Sequence, residues 1–199
     1  MRTILHNCGE IAHLSTGDDE DPLSGERLLD RESLVHPAGM AIMIRGGIIE
    51  KIAPSEEVLS EFAPWYPSES TSGEVEVIDI GEMSVVPGFV DSHTHLRWSG
   101  DRTNELAMRL RGKTYQEIAQ SGGGIMKTVR HTRSTPKRHL VTSGISRAQE
   151  FMRNGTTTLE AKSGYGLDLD SEIKLLESIS EIDRSTSLDI RATWLGAHD

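Results

Sequence analysis

Residues 87–100 read PGFVDSHTHLRWSG, and this stretch decides how the rest of the chain is read. Pro87-Gly88 opens an apolar run that ends in two histidines, His93 and His95. In a strand, residues two apart project from the same face. Both imidazoles therefore aim one way, with Asp91 below them on the same side. Neutral imidazoles converging on one point are good ligands for zinc or ferrous iron. A bare His-x-His pair is more often two polar residues at a strand end. Here it terminates an apolar strand opened by Pro-Gly, and that context favours a metal. Two imidazoles are half a site, because a catalytic zinc takes three protein ligands and a water.

Downstream, strands and helices alternate. SVVPGFVD (84–91) reads as a buried strand. TNELAMRLRG (103–112) and TYQEIAQ (114–120) read as helices. Pro136 opens a long helix through 137–154, and Gly155 ends it. TTTLEAKS (156–163) is β-branched and strand-like. DSEIKLLESISEID (170–183) is an amphipathic helix with Ile173, Leu176 and Ile179 inward and Asp170 as its cap. LDIRATWLGAH (188–198) is a third strand. Such alternation predicts a parallel α/β sheet.

Upstream, the grammar is that of short β segments and loops. MRTILHNCGEIAHL (1–14) offers one or two strands, and 17–33 is an acidic loop. AIMIRGGIIEKIA (41–53) is a hairpin about Gly46-Gly47, where a tight turn needs positive φ. Residues 61–74 read as a loop and VEVIDI (75–80) as a strand. The expected division is a β-rich lobe over 1–84 and three βα units over 85–199.

The bulk numbers exclude several classes. Of 199 residues, 36% are hydrophobic and 26% charged, which suits a folded, soluble chain rather than a disordered one. A net charge of −10 argues against non-specific nucleic-acid binding and against docking on anionic lipid. The single cysteine, Cys8, forms no intrachain disulfide, so nothing points to an oxidising compartment. No signal-like or membrane-length apolar run occurs. The expected location is the cytoplasm.

VVPGFVDSHTH resembles the first barrel strand of the amidohydrolase superfamily of metal-dependent hydrolases. The likeness narrows as Arg102, GGGI (122–125), TVRHTR (128–133), GTTTLEAKSGYGL (155–167) and WLGAH (194–198) follow in order. Together these resemble the imidazolonepropionase family over most of 40–198. SGYG and GAH are specific to that family, whereas the opening stretch indicates only the superfamily. The resemblance implies a partial TIM-like (β/α)8 barrel, its first three strands, preceded by a small lobe of a composite β-sandwich. It implies hydrolysis of the cyclic amide C–N bond of 4-imidazolone-5-propanoate to N-formimino-L-glutamate, in histidine degradation. The cofactor would be one divalent or trivalent metal ion, Zn or Fe. The partner is a small imidazolone substrate, with no nucleic acid and no membrane, and with a homodimer open to the full-length protein.

By that resemblance His93 and His95 are the first two metal ligands. Arg102 holds the substrate's propionate, a task suited to a planar guanidinium. Without the resemblance it would be an ordinary solvated arginine. Tyr165 contacts the substrate ring, and Tyr115 is a second pocket tyrosine, though an amphipathic helix also wants an aromatic there. His198 meets the substrate carbonyl region and is not a metal ligand; strand parity places it with Ile190, Ala192, Trp194 and Gly196.

One pattern is independent of family. His93, His95, Tyr165 and His198 fall at or just past strand C-termini, the face where barrel active sites are built. Glu160 and Lys162 share a strand face and read as a structural polar pair. Gly112-Lys113-Thr114 mimics the tail of a phosphate-binding loop, but position 107 is Ala where that motif needs Gly. The Gly122–Gly124 run could cradle an anion at a helix start, but lacks a nucleotide signature.

The remaining ligands and the acid/base glutamate are expected beyond Asp199, which itself departs from the small residue expected after GAH. His6, His13, His36, His131 and His139 lie in the wrong elements to substitute. No catalytic residue is therefore assigned within the chain, and the 199-residue chain is expected to be an incomplete, inactive fragment. The competing readings are another amidohydrolase, either a deaminase or a cyclic amidase, and a non-catalytic fragment that binds ligand or pairs with a complementing chain.

Overall fold

The computed structural model describes residues 1–14 and 23–198. The chain packs as two units, Met1–Pro87 and Gly88–Asp199. Both are mixed α and β.

In the first unit, β1 (Arg2–His6) and β2 (Ile11–Ala12) come from the opening stretch. A 3-10 turn over Gly25–Leu29 and α1 (Arg31–Leu34) lead to β3 (Val35–His36). Residues 17–22 of the expected acidic loop lie outside the described residues. β4 (Met40–Arg45) and β5 (Ile48–Pro54) form the hairpin, with Arg45 opposite Ile48. Gly46 and Gly47 take φ +57° and +83°, the conformation that a two-residue turn of this hand requires.

After the hairpin comes a helix the sequence reading lacked, α2 (Ser55–Phe62). Glu56 and Glu57 in its first turn favour it through the helix dipole, and Val58 buries its inner face. β6 (Thr71–Ser72) and β7 (Val75–Asp79) complete a five-stranded sheet ordered β5-β4-β1-β7-β6, while β2 and β3 pair separately. Alternation along β1 and β4 serves two clusters. Ile4, Ala41 and Met43 pack with Val58, and Ile42 packs with Cys8 and Ile11.

The second unit opens with β8 (Phe89–Thr94). α3 (Thr103–Leu110), α4 (Tyr115–Gln120), α5 (Ile125–Ser134) and α6 (Lys137–Arg153) follow. Then come β9 (Thr156–Lys162), α7 (Leu169–Ser185) and β10 (Asp189–Thr193). The strands are all parallel in the order β10-β9-β8. Pro136 caps α6, and Gly155 follows its end at φ +87°.

The Gly-Lys-Thr decoy resolves into local structure. Gly112 lies just past α3 at φ +89°, and Thr114 makes a capping box with Glu117 at the start of α4.

Helices α6 and α7 cover one face of the sheet. Leu96, Leu159, Ala161 and Ile190 meet Val141, Ala148, Ile179 and Ile182 there. The first strand differs from its expected burial: Phe89 is 60% and Val90 70% exposed. Among the described residues, β8 has a sheet neighbour on one side only, β9.

α7 also corrects the sequence reading. Its cap is Asp168, whose carboxylate accepts from the Ser171 amide, and Asp170 lies within the first turn. The buried face runs through Glu172, Leu175, Ile179 and Ile182, leaving Ile173 exposed. The periodicity of apolar residues misses this rotation because a carboxylate, Glu172, occupies an inward position. Among the described residues no helix is long and apolar enough to cross a membrane.

Candidate metal and substrate site

Because β8, β9 and β10 are parallel, their C-terminal ends lie on one side. His93 is the fifth residue of β8, and His95 follows the strand's last residue. Asp91 Oδ1 accepts from the His93 backbone N–H at 3.2 Å. Tyr165 stands three residues past β9, and His198 five past β10.

Four of the sequence-selected residues meet as rings. His93 and His95 have centroids 6.0 Å apart, edge to face. Tyr165 lies 4.7 Å from His95 and 5.3 Å from His198. His198 stacks on His95 at 4.5 Å.

His198 reaches this place against its expected parity. Ile190 is buried toward the helices, but the strand ends at Thr193 and a turn at Gly196-Ala197 swings His198 onto His95. Its Nδ1 donates to the Gly164 carbonyl at 3.0 Å, so Nε2 is the nitrogen left for other partners. That nitrogen donates to a carbonyl only when the ring carries both protons.

His95 is suited to a neutral, ligating role. Its Nδ1 is buried without a hydrogen-bond partner. Burial pushes its pKa down, and the nearby His198, His93 and Arg97 add to this against the Ser163 backbone. An orphaned ring nitrogen on a ring kept neutral fits a metal donor. Among the described residues no group of three or more His, Cys, Asp or Glu side chains could hold a metal ion. The two imidazoles are thus a partial donor set.

Arg102 and Tyr165 share a pocket of about 190 Å³ with His95, Trp98 and Thr128. The Arg102 guanidinium meets Glu105, with Nε and Nη2 each 2.8 Å from Oε2. Glu105 Oε1 in turn accepts from the Gly124 amide at 3.1 Å. The glycine run therefore lends an amide to a buried carboxylate that orients Arg102. Arg102 Nη1 stays available for a second anion.

Burial raises the Tyr165 phenol above its ordinary pKa, with Arg102 opposing, so the phenol remains a donor. Tyr115 is 58% exposed at the start of α4 and lines a separate hollow with Gly124 and Arg130. It does not line the pocket of His95 and Tyr165.

Glu160 and Lys162 do pair, at 2.5 Å, and Glu160 also accepts from the Thr193 hydroxyl at 2.6 Å. These bonds, Lys162 first, hold the Glu160 carboxyl below its usual range despite burial. His131 and His139 sit on α5 and α6.

Two residues at the site escaped the sequence reading. Trp98 lines the small pocket and also a hollow of about 520 Å³ beside it, and Arg147 lies over its ring at 4.1 Å. Glu105 could have been found from its spacing, three residues beyond Arg102 in a helix.

No protein-family model matches the chain. Curated relatives do. The imidazolonepropionase of Symbiobacterium thermophilum is 42% identical over 196 residues, 98% of this chain and 43% of its own length. The probable imidazolonepropionase of Homo sapiens is 42% identical over 180 residues, 87% of this chain and 40% of its own. By sequence, the chain is a relative of the imidazolonepropionases. It spans about two-fifths of the length of those relatives.

Solved structures with the same fold accompany the imidazolonepropionase relatives. A triazine hydrolase from Arthrobacter aurescens superposes with a TM-score of 0.62 at 14% identity, over 97% of this chain and 35% of that one. The atrazine chlorohydrolase of Arthrobacter aurescens TC1, complexed with zinc, gives 0.56 at 14%, over 96% and 35%. At such identities these likenesses speak for the fold alone.

Proposed function

We propose that this chain carries part of an imidazolonepropionase active site. The barrel reading goes with it: β8, β9 and β10 would be the first three strands of a TIM-like barrel, and residues 1–84 part of a composite β-sandwich. A cytoplasmic location and a small imidazolone substrate follow from the same reading. The observation that carries it is the convergence of His93, His95, Tyr165 and His198 with Arg102 at the ends of three parallel strands.

His93 and His95 would hold one metal ion, zinc or iron. When bound, it supplies Lewis acidity for hydrolysis of a cyclic amide. The chain's own residues bind and orient. Arg102, steadied by Glu105, offers its free edge to the substrate's propionate. Tyr165 donates its phenolic proton to the polar ring. His198 turns Nε2 toward the carbonyl and donates when doubly protonated. Trp98 closes the pocket wall beside His95. Tyr115, lining the hollow with Gly124 and Arg130, stands outside this set. The other metal donors and the acid/base glutamate belong, on this reading, to the part of the relatives' length that this chain does not span.

Imidazole-4-propionate, a stable mimic with ring and carboxylate, tests the reading by calorimetry and NMR on the purified chain. Its binding should shift His95, Tyr165 and His198 signals. Arg102→Met should weaken it about tenfold while leaving 4-ethylimidazole, which lacks the carboxylate, unaffected. Equal losses for both compounds would remove the assignment of Arg102. The chain alone with added zinc or ferrous iron should not hydrolyse substrate, and turnover would overturn the partial-site reading.

A further inference from the structure

Glu172 is a fully buried carboxylate that the proposed chemistry leaves unused. It sits in the first turn of α7 and reaches back into the loop that follows β9. Oε2 accepts from the Gly164 amide at 2.8 Å. Oε1 accepts from the amides of Gly166 and Leu167 at 2.6 and 2.8 Å. One carboxylate thus ties down the backbone on both sides of Tyr165.

The same group reaches the His198 segment. Ser163, whose side chain helps hold the Glu172 carboxyl low, accepts from the Leu195 amide through Oγ at 2.9 Å. Leu195 lies three residues before His198. The loop is shaped for this carboxylate: a Cβ on Gly166 would stand 2.8 Å from Oε1 and 2.7 Å from the Glu172 amide.

Burial alone would raise the carboxyl, but Ser163 and the three amides outweigh it and hold Glu172 low. The neighbouring positive charge is Arg97, itself 1% exposed and lowered to about 9 by burial, with Glu172 opposing. Arg97 Nη2 donates to the Lys162 carbonyl at 3.1 Å, while Nε and Nη1 are buried without partners. A buried anion held by three backbone amides is a costly arrangement to maintain for packing alone.

We propose that Glu172 is a positioning residue that sets Tyr165 and His198 against His95 by fixing the two loops that carry them. This deepens the functional reading above and rests on it for the roles of Tyr165 and His198. Glu172 itself touches no substrate. Its neutral amide counterpart would point an NH2 at N–H donors, so Glu172→Gln should release the loop.

The test is NMR on the whole chain without substrate, so its failure is separate from failure of the substrate reading. Glu172→Gln should speed exchange of the Gly164, Gly166 and Leu167 amides at least tenfold. It should also abolish ring contacts among His95, Tyr165 and His198. Ser163→Ala should loosen only the His198 side, leaving the Gly166 and Leu167 amides protected. Val141→Ala, a core control on α6, should lower Tm while keeping every ring contact. Ring contacts that survive Glu172→Gln, or that vanish equally in Val141→Ala, overturn the proposal. If Glu172→Gln does not fold, Ser163→Ala decides: loss confined to His198 supports the relay, and uniform loss or no loss refutes it.

Discussion

The imidazole of His198 lies over that of His95, with ring centroids 4.5 Å apart and the planes 17° from parallel. Two segments distant in sequence meet in that pair, which makes it a sensitive gauge of the whole site. Gly164 makes room for it. Its φ is +101°, and a Cβ there would stand 2.9 Å from His198 Nδ1. Gly164→Ala should therefore cost about 1–3 kcal/mol in strain and unstack the rings. Ring-current shifts of the His95 protons would show the second effect, and urea unfolding the first.

Metal binding should depend on both imidazoles. Zinc titrated into the chain should bind weakly through a partial donor set, and His93→Ala or His95→Ala should each abolish it. Calorimetry with zinc alone reads this directly. Retained affinity in both variants would place the metal elsewhere.

Acid should weaken the second unit through Glu172. Its folded pKa lies below the ordinary 4.5. The stability it contributes is therefore present above about pH 4.5 and is lost as pH falls through the lower folded value. Melting temperature should decline in that acid window, and Glu172→Gln should flatten this part of the profile while losing about 1.5–3 kcal/mol near neutrality. Thermal melts from about pH 7 to about pH 3 supply the comparison.

Packing between α6 and α7 has a tight spot at Gly144, where a Cβ would meet Ile182 Cδ1 at 2.2 Å. Gly144→Val should destabilise by about 1–3 kcal/mol. Adding Ile182→Val removes the clashing methyl. The double variant should then lose less than the sum of the two single ones, a coupling that denaturation curves can measure.

The outline of the second unit was legible because its signals are local. Strand runs, Pro136 before a helix and Gly155 after it mark element ends without reference to tertiary structure. The Gly46-Gly47 hairpin is legible for the same reason. α2 was not, because Ser55–Phe62 lies among β segments and is only eight residues long, too short for its period to stand out. The rotation of α7 was hidden by Glu172, a charged residue turned inward by backbone amides that no periodicity reveals. His198 lies against His95 for a reason that strand parity does not contain. Strand parity would have sent it with Ile190 toward the helices, and only the turn at Gly196-Ala197 redirects it. Tyr115, at the start of α4, lines a hollow with Gly124 and Arg130 and not the one shared by His95 and Tyr165.

The bonds from Glu172 to Gly164, Gly166 and Leu167 span only eight, six and five residues. Closing loops that short takes well under a microsecond, about 10–100 ns for ten residues. The Tyr165 segment can therefore take its final shape as soon as α7 winds, before β9 has found either neighbour. Closing this loop needs only local contacts, whereas pairing β9 with β8 and β10 must join segments far apart in the chain.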